Sequence, residues 1–268
     1  MVLLERLSLI LLVLFCSQLY AIETIKPKLV DELIELAGIK YQLEQITVQI
    51  KEGVSQGARD SGGYKTEVGK LNDTIDDLFN AEKVSRDIAF SLYKGMSQNE
   101  IQQVLHWLTS PLGQRITQLE NEASSSSSYE HMLAIAPELQ SRYRGTKRLQ
   151  MLNELDHSIQ ATQATVELAL NTQLAIAVSV LSLQENADSP EYEDIRAYIE
   201  KHRPQVLAHA NYQIVTSFMY TYMSLTEDEL SEYIEFARSE GGAKYHAIYI
   251  NSLSRVLVSS FRAISEYI

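Results

Sequence analysis

Residues 97–115 read SQNEIQQVLHWLTSPLGQR, and residues 226–244 read TEDELSEYIEFARSEGGAK. Aligned without a gap, the two windows share Glu100 with Glu229, Ser110 with Ser239 and Gly113 with Gly242. Residue classes agree more widely: Ser97 with Thr226, Ile101 with Leu230, Leu105 with Ile234, Trp107 with Phe236 and Arg115 with Lys244. Tyr93 and Tyr222 extend the register upstream. A constant offset held over this length is the mark of an internal repeat.

Capping and periodicity explain why these classes recur. Ser97-Gln-Asn-Glu100 and Thr226-Glu-Asp-Glu229 have the spacing of capping boxes, in which the hydroxyl takes the amide of the third helical residue and the Glu reaches back to the cap's amide. Ile101, Val104, Leu105 and Leu108 then fall at i, i+3, i+4 and i+7, as do Leu230, Tyr233, Ile234 and Ala237, so each window predicts a three-turn helix with one apolar stripe. Ser110 and Ser239 follow as second caps. Pro111 suits the first helical position because its missing amide is unpaired there anyway, and Glu240 in the same place favours the helix dipole. Each window is therefore expected to be helix, tight corner, helix. Gly113 and Gly242 sit in the first turn of the new helix, where Gly weakens it by about 1 kcal/mol. Close approach of another helix accounts for that choice; approach of a ligand to the backbone is the alternative.

Working outward, Leu71, Ile75, Leu78 and Phe79 have helical spacing, as do Leu207, Asn211, Ile214, Phe218 and Tyr222. Val30 to Ile50 is amphipathic, matched loosely by Leu149 to Ile159, and Tyr249, Leu253, Val256, Leu257, Phe261 and Ile264 mark a long C-terminal helix. Gly53 to Gly69, GVSQGARDSGGYKTEVG, has the composition of a flexible loop. Ser124 to Ser128 lies opposite Leu253 to Leu257 in the repeat register and predicts a frayed helix end. Pro137 and Gly145 bracket the boundary between halves. Ala164 to Leu183 is the most apolar segment after the N-terminus. Because Glu167, Asn171 and Gln173 interrupt it, a helix buried centrally between the halves is expected rather than a membrane span.

The fold class that follows is all-α, two tandem copies of a helical unit packed as one bundle-like body. Residues 1–21 form a signal peptide, 22–145 the first repeat and 146–268 the second. The signal rests on the apolar run Leu7 to Phe15, too short to span a bilayer, and on a short exit ending at Ala21, the expected cleavage point. Cys16 follows Phe15 and not a small residue, so a lipid-anchor reading gives way to a filler of the signal core. Removing the signal removes the one cysteine, and with it any disulfide, thiolate nucleophile or Cys-based zinc site.

Glu5 and Arg6 cancel, so the processed chain keeps the net charge of −12. Such a chain repels phosphate backbones and anionic headgroups, and the densest basic stretch, Arg142 to Arg148, is short and falls at the join; nucleic acid is not expected as a partner. Six histidines contain no His-Glu-x-x-His and no i, i+4 pair, and they are expected to be scattered over the surface. His202 and His209 share a helix face only if Pro204 allows a continuous helix. There is no Gly-x-Ser-x-Gly elbow, no phosphate loop and no dinucleotide fingerprint. Glu100 and Glu229 are explained by capping before acid–base catalysis need be invoked. No cofactor and no catalytic or metal-binding residue is assigned. The second half is rich in tyrosine (Tyr192, Tyr198, Tyr212, Tyr220, Tyr222, Tyr233, Tyr245, Tyr249, Tyr267), a residue suited to contact surfaces; Tyr222, Tyr245 and Tyr249 lie on apolar stripes and are read as core.

The motif from Tyr93 to Arg115, Ser/Thr-x-x-Glu followed by an aromatic and Ser-Pro-x-Gly-x-Lys/Arg, resembles the family called domain of unknown function 2059. The second copy departs at the proline, with Ser239-Glu-Gly-Gly242. The resemblance implies an exported helical protein of the periplasm of Gram-negative bacteria, and it carries no mechanism or catalytic residue. The leading expectation is a non-enzymatic protein whose packed helices present a surface or groove to another envelope protein. The alternative is a lipid or other apolar ligand held between the two repeats; a hydrolase or metal enzyme would require two carboxylates and a histidine converging in a polar cleft.

Overall fold

The computed structural model describes residues 26–60, 65–182 and 192–265, and all regular structure among them is α-helix, with no strand. The expected signal, residues 1–21, lies outside the described residues. The amphipathic stretch from Val30 is two helices, α1 (26–36) and α2 (Ile39–Asp60). They are broken at Gly38, whose φ of +65° a residue with a Cβ rarely adopts.

The Gly53–Gly69 segment corrects the loop expectation. Helix α2 runs into it as far as Asp60, and α3 (Lys65–Leu78) begins inside it. Ile46 and Ile50 of α2 pack on Ile75 and Leu78 of α3, and Lys51 pairs with Asp76. That packing offsets the roughly 1 kcal/mol lost at each helical Gly. Asn80 then caps α4 (Ala81–Gly95) by accepting from the Lys83 amide at 3.0 Å, and Val84, Ile88 and Leu92 form its buried row.

Next come α5 (Gln98–Thr109), α6 (Pro111–Ala123) and α7 (Ser126–Tyr143). The serine run is a sharp corner in which Ser125 caps α7. Pro137 lies inside α7 and marks no boundary; the chain turns at Gly145, φ +71°. Thr146 caps α8 (Lys147–Ile159), and Gln160, in the left-handed region, separates it from α9 (Ala161–Ser182). Then follow α10 (Tyr192–Glu200), α11 (Arg203–Thr221), α12 (Glu227–Arg238) and α13 (Glu240–Ser265). Pro204 lies in the first turn of α11 with His202 as its cap, so His202 and His209 do not share a continuous helix.

The central helix is α13, not α9: it lies against α3, α4, α5, α8, α9 and α12. Helix α9 flanks it, with Val166 and Leu170 buried towards α10 and α11, while Asn171 and Gln173 are exposed. The polar positions in the apolar run keep that face in water, which is why the segment is not enclosed. The main apolar cluster combines Leu33, Ile88, Leu92 and Ile101 with Met219, Leu230 and Ile234, and each such side chain contributes about 1.5–3 kcal/mol on burial. No described helix is long and apolar enough to cross a membrane.

Candidate functional site

The two quoted windows meet each other. Ser97 Oγ accepts from the Glu100 amide at 3.3 Å and Glu100 Oε2 from the Ser97 amide at 2.5 Å; Thr226 and Glu229 do the same at 3.2 and 2.7 Å. Ser110 and Ser239 accept from the amides of Gly113 and Gly242 at 3.0 and 3.1 Å, with Pro111 at the head of α6. The ring of Trp107 stacks on Phe236, centroids 4.5 Å apart and planes 7° from parallel. Lys244 donates to Glu100 at 2.9 Å and Arg115 to Glu229 at 2.5 Å, so each window supplies the cation for the other's capping carboxylate. Their environments differ: Glu100 is buried beneath the start of α13, whereas Glu229 is more open. The Lys244 ammonium, reinforced by the Ser97 amide, holds the Glu100 carboxyl at about 2.

The glycines have a different reason from the one expected. A Cβ at Gly113 would overlap the carbonyl oxygen of Trp107, and one at Gly242 that of Phe236. Each new helix thus starts against the last turn of the helix before it, not against a third helix or a ligand. It is Gly241, without a counterpart in the first window, that brings two distant helices close. A Cβ there would lie 3.0 Å from the Glu100 carbonyl, and its amide donates to Gln103 at 3.2 Å.

Behind the Trp107–Phe236 stack lies a cavity of about 280 Å³. Helix α6 carries Ile116 and Glu120, one turn apart and both facing it. Helix α13 contributes Tyr245, His246 and Tyr249, α12 contributes Tyr233, and Tyr222 comes from the C-cap of α11. The carbonyl of Tyr222 is held by Arg148 of α8 at 2.5 Å. Gln42 of α2 closes another wall.

At the centre of this chamber is Glu120. Both Tyr222 and Tyr233 donate their phenol O–H to the same oxygen, Oε1, at 2.8 and 2.9 Å. The second oxygen has no hydrogen-bond partner among the described residues. Burial raises the carboxyl above the usual carboxylate range, and the two phenols pull it part of the way back. Glu120 is half-buried and lines the cavity. Burial also pushes the phenols of Tyr222, Tyr233, Tyr245 and Tyr249 upward, so they stay protonated.

His246 corrects the expectation of surface histidines. It is buried, and its Nδ1 lies 2.8 Å from the Gly242 carbonyl. A carbonyl only accepts, so Nδ1 carries the proton and Nε2 is left with a lone pair. Burial lowers the ring to about 4, against a smaller upward pull from that hydrogen bond, and the ring is neutral at neutral pH. Tyr249 Oη donates to Gln42 Oε1 at 3.2 Å, and Gln42 Nε2 donates to Asn121 and the Ala37 carbonyl.

The structure thus brings Trp107 and Phe236 of the motif to the chamber wall, while Ser97, Glu100, Ser110, Pro111, Gly113, Thr226, Glu229, Ser239 and Gly242 shape the helices that frame it. Sequence reasoning missed Glu120, His246 and the role of Tyr233. One signal was available: Leu112, Ile116 and Glu120 share one row of α6, so a carboxylate stood on an otherwise apolar row. Among the described residues no group of three or more His, Cys, Asp or Glu could hold a metal ion.

No curated protein matches the chain, and no solved structure does. The matched family segment covers α5 and α6 and most of α4 and α7, so it includes Trp107 and Glu120 but not the tyrosines and histidine that face them. Residues 82–142, the part of the chain that carries the Tyr93–Arg115 motif, match the model of a family described as "Uncharacterized protein conserved in bacteria (DUF2059)".

Proposed function

We propose that this is an exported, non-enzymatic binding protein of the bacterial envelope that takes a small ligand into the aromatic chamber. The observation that carries this reading is Glu120: a carboxyl group on the chamber wall with one oxygen fixed by two phenols and the other without a hydrogen-bond partner among the described residues. Glu120 is half-buried, and an acceptor left open on an aromatic wall is free to take a hydrogen bond from something that arrives later. Binding is favoured over turnover because, among the described residues, Glu120 is the one carboxyl lining the chamber, where hydrolysis by an acid–base pair would need two. Export is supported by the apolar run Leu7–Phe15 and its small-residue exit. Native mass spectrometry of the protein purified from its own compartment tests the reading: a retained mass, lost on denaturation, is expected. A mass equal to the bare chain, together with no response to a broad small-molecule panel, would count against it.

A second reading, an envelope partner docking on the surface, is favoured by a separate groove of about 1200 Å³ where the end of α8 and helix α9 face α13. Leu168, Leu174, Ala247, Ile250 and Val258 give it an apolar floor, edged by Gln163, Asn251 and Arg255. Crosslinking from an Asn251→Cys variant in envelope extracts should give a discrete product that Ile250→Arg abolishes. Failure to recover any reproducible product would remove this reading.

A further inference from the structure

The chamber's polar lining is short of free donors. The O–H groups of Tyr222 and Tyr233 go to Glu120, that of Tyr249 to Gln42, and the one N–H of His246 to the Gly242 carbonyl. The Gln42 amide spends its protons on Asn121 and Ala37, and Ser124 donates to the Asn121 carbonyl at 2.8 Å. The acceptors left over are the second oxygen of Glu120, the Nε2 lone pair of His246 and the phenol oxygens. Among the described residues of the lining, the hydroxyls of Tyr245 and Thr117 and the indole N–H of Trp107 keep a proton with no hydrogen-bond acceptor. Among the described residues no Lys or Arg lines the chamber, so none of them gives the Glu120 carboxylate a counter-ion there.

From this we infer that the chamber binds a small protonated organic amine, its ammonium on the free oxygen of Glu120 and its apolar body among the rings of Trp107, Phe236, Tyr233 and Tyr245. This rests on the chamber being a binding site, as proposed above, and goes further by naming the ligand's charge and chemistry. An ammonium supplies donors to the free oxygen of Glu120 and the positive charge that a carboxylate without a counter-ion in the lining calls for. Aromatic faces attract the same cation through their quadrupoles. An anion would meet Glu120 with no cation in the lining to offset it, and a neutral acceptor could draw only on Tyr245, Thr117 and the Trp107 indole N–H. The volume, nearly twice the roughly 150 Å³ of an engineered cavity that admits benzene, fits a single ring or a short branched alkyl body.

The chain has one tryptophan, and it stands in the chamber wall, so its fluorescence reports on this site alone. Phenethylamine, phenethyl alcohol and phenylacetate at neutral pH present nearly the same body with a cationic, neutral or anionic head. Titrated into the full chain and followed by Trp107 emission and calorimetry, the amine should bind at least tenfold more tightly than the alcohol, and the carboxylate not at all. Glu120→Gln keeps an acceptor for both phenols; it should cut amine affinity at least tenfold and leave the alcohol's unchanged. Alcohol binding as tight as the amine, or a preference for phenylacetate, would overturn the cation inference and leave the binding-chamber reading standing. No change in emission or heat with any of the three would overturn both. The three-ligand comparison on the unsubstituted chain decides the matter whether or not the variant folds.

Discussion

The helix pairs α5–α6 and α12–α13 make the same corner and put it to different ends. Both open with a capping box, both turn on a serine cap, and both place a glycine against the preceding carbonyl. Beyond the corner they part. Helix α6 stops at Ala123, while α13 continues to Ser265 through the heart of the body. At matched positions the first pair has Val104, Ile116, Thr117 and Glu120; the second has Tyr233, Tyr245, His246 and Tyr249. One side brings the carboxylate and the other the phenols and imidazole, so the chamber exists only where the two meet. Backbone geometry was kept where caps and close contacts demand it, and chemistry diverged on the faces that no cap constrains.

The harshest way to break this comparison is to attack what the pairs share. Gly113→Ala and Gly242→Ala should each lose about 4 kcal/mol in chemical denaturation, above the usual overpacking range because the obstacle is backbone that cannot rotate away. Gly241→Ala, which meets mainly the Gln103 side chain at 2.8 Å, should lose only about 1 kcal/mol. Equal losses at all three positions would deny the corner its special status.

The next effects test where the pairs differ. Folding holds His246 at about 4, below its free value of 6.5, the reverse of a histidine that gains an anionic partner. Its contribution is therefore complete above pH 6.5 and is withdrawn as pH falls towards 4, by roughly 3 kcal/mol at about 1.4 kcal/mol per unit. Replacing it with Thr, the residue at the matching position of α6, should flatten that part of the stability–pH curve whatever it does to stability at pH 8. Glu120, raised by burial, acts in the opposite sense, so the difference between the two proteins is the quantity to measure. Tyr233→Phe removes one of the two donors to Glu120 and should lower stability by about 2 kcal/mol near neutral pH. In a Glu120→Gln background the same change should have a smaller effect, and a double-mutant cycle measures the coupling. The smallest expected contrast is between the two capping carboxylates: Glu100→Gln should lower the denaturation midpoint more than Glu229→Gln, because Glu100 is the more enclosed. The Glu100 contribution is present above pH 4.5 and is lost as pH falls towards 2.

Much of the scaffold was legible because its determinants are local. A cap, a proline at a helix head and an apolar stripe act within four or five residues, and α5, α6, α12 and the long α13 could be drawn from them. The Gly53–Gly69 segment misled because propensity counts each Gly as a penalty, whereas Ile46, Ile50, Ile75 and Leu78 pack from both flanks. The polar residues of α9 excluded a membrane span, but they were not used to place that helix at the side of the body. The chamber was the least legible part. Glu120 meets Tyr222 and Tyr233 from more than a hundred residues away, and no local pattern announces such a meeting. Of the tyrosines, Tyr222, Tyr245 and Tyr249 were read as core; the first two are buried and Tyr249 is half-buried, and the group they surround was not foreseen.

The position of α13 has a consequence for how the chain acquires its shape. It is the last described helix to be synthesised, and it touches helices spread over most of the chain before it. Partners so distant in sequence are slow to find one another, and until they do the inward faces of α4, α5 and α9 stay uncovered. During that interval the half-made protein has greasy flanks open to water. A protein clipped ahead of residue 240 would lose the wall that Tyr245, His246 and Tyr249 build.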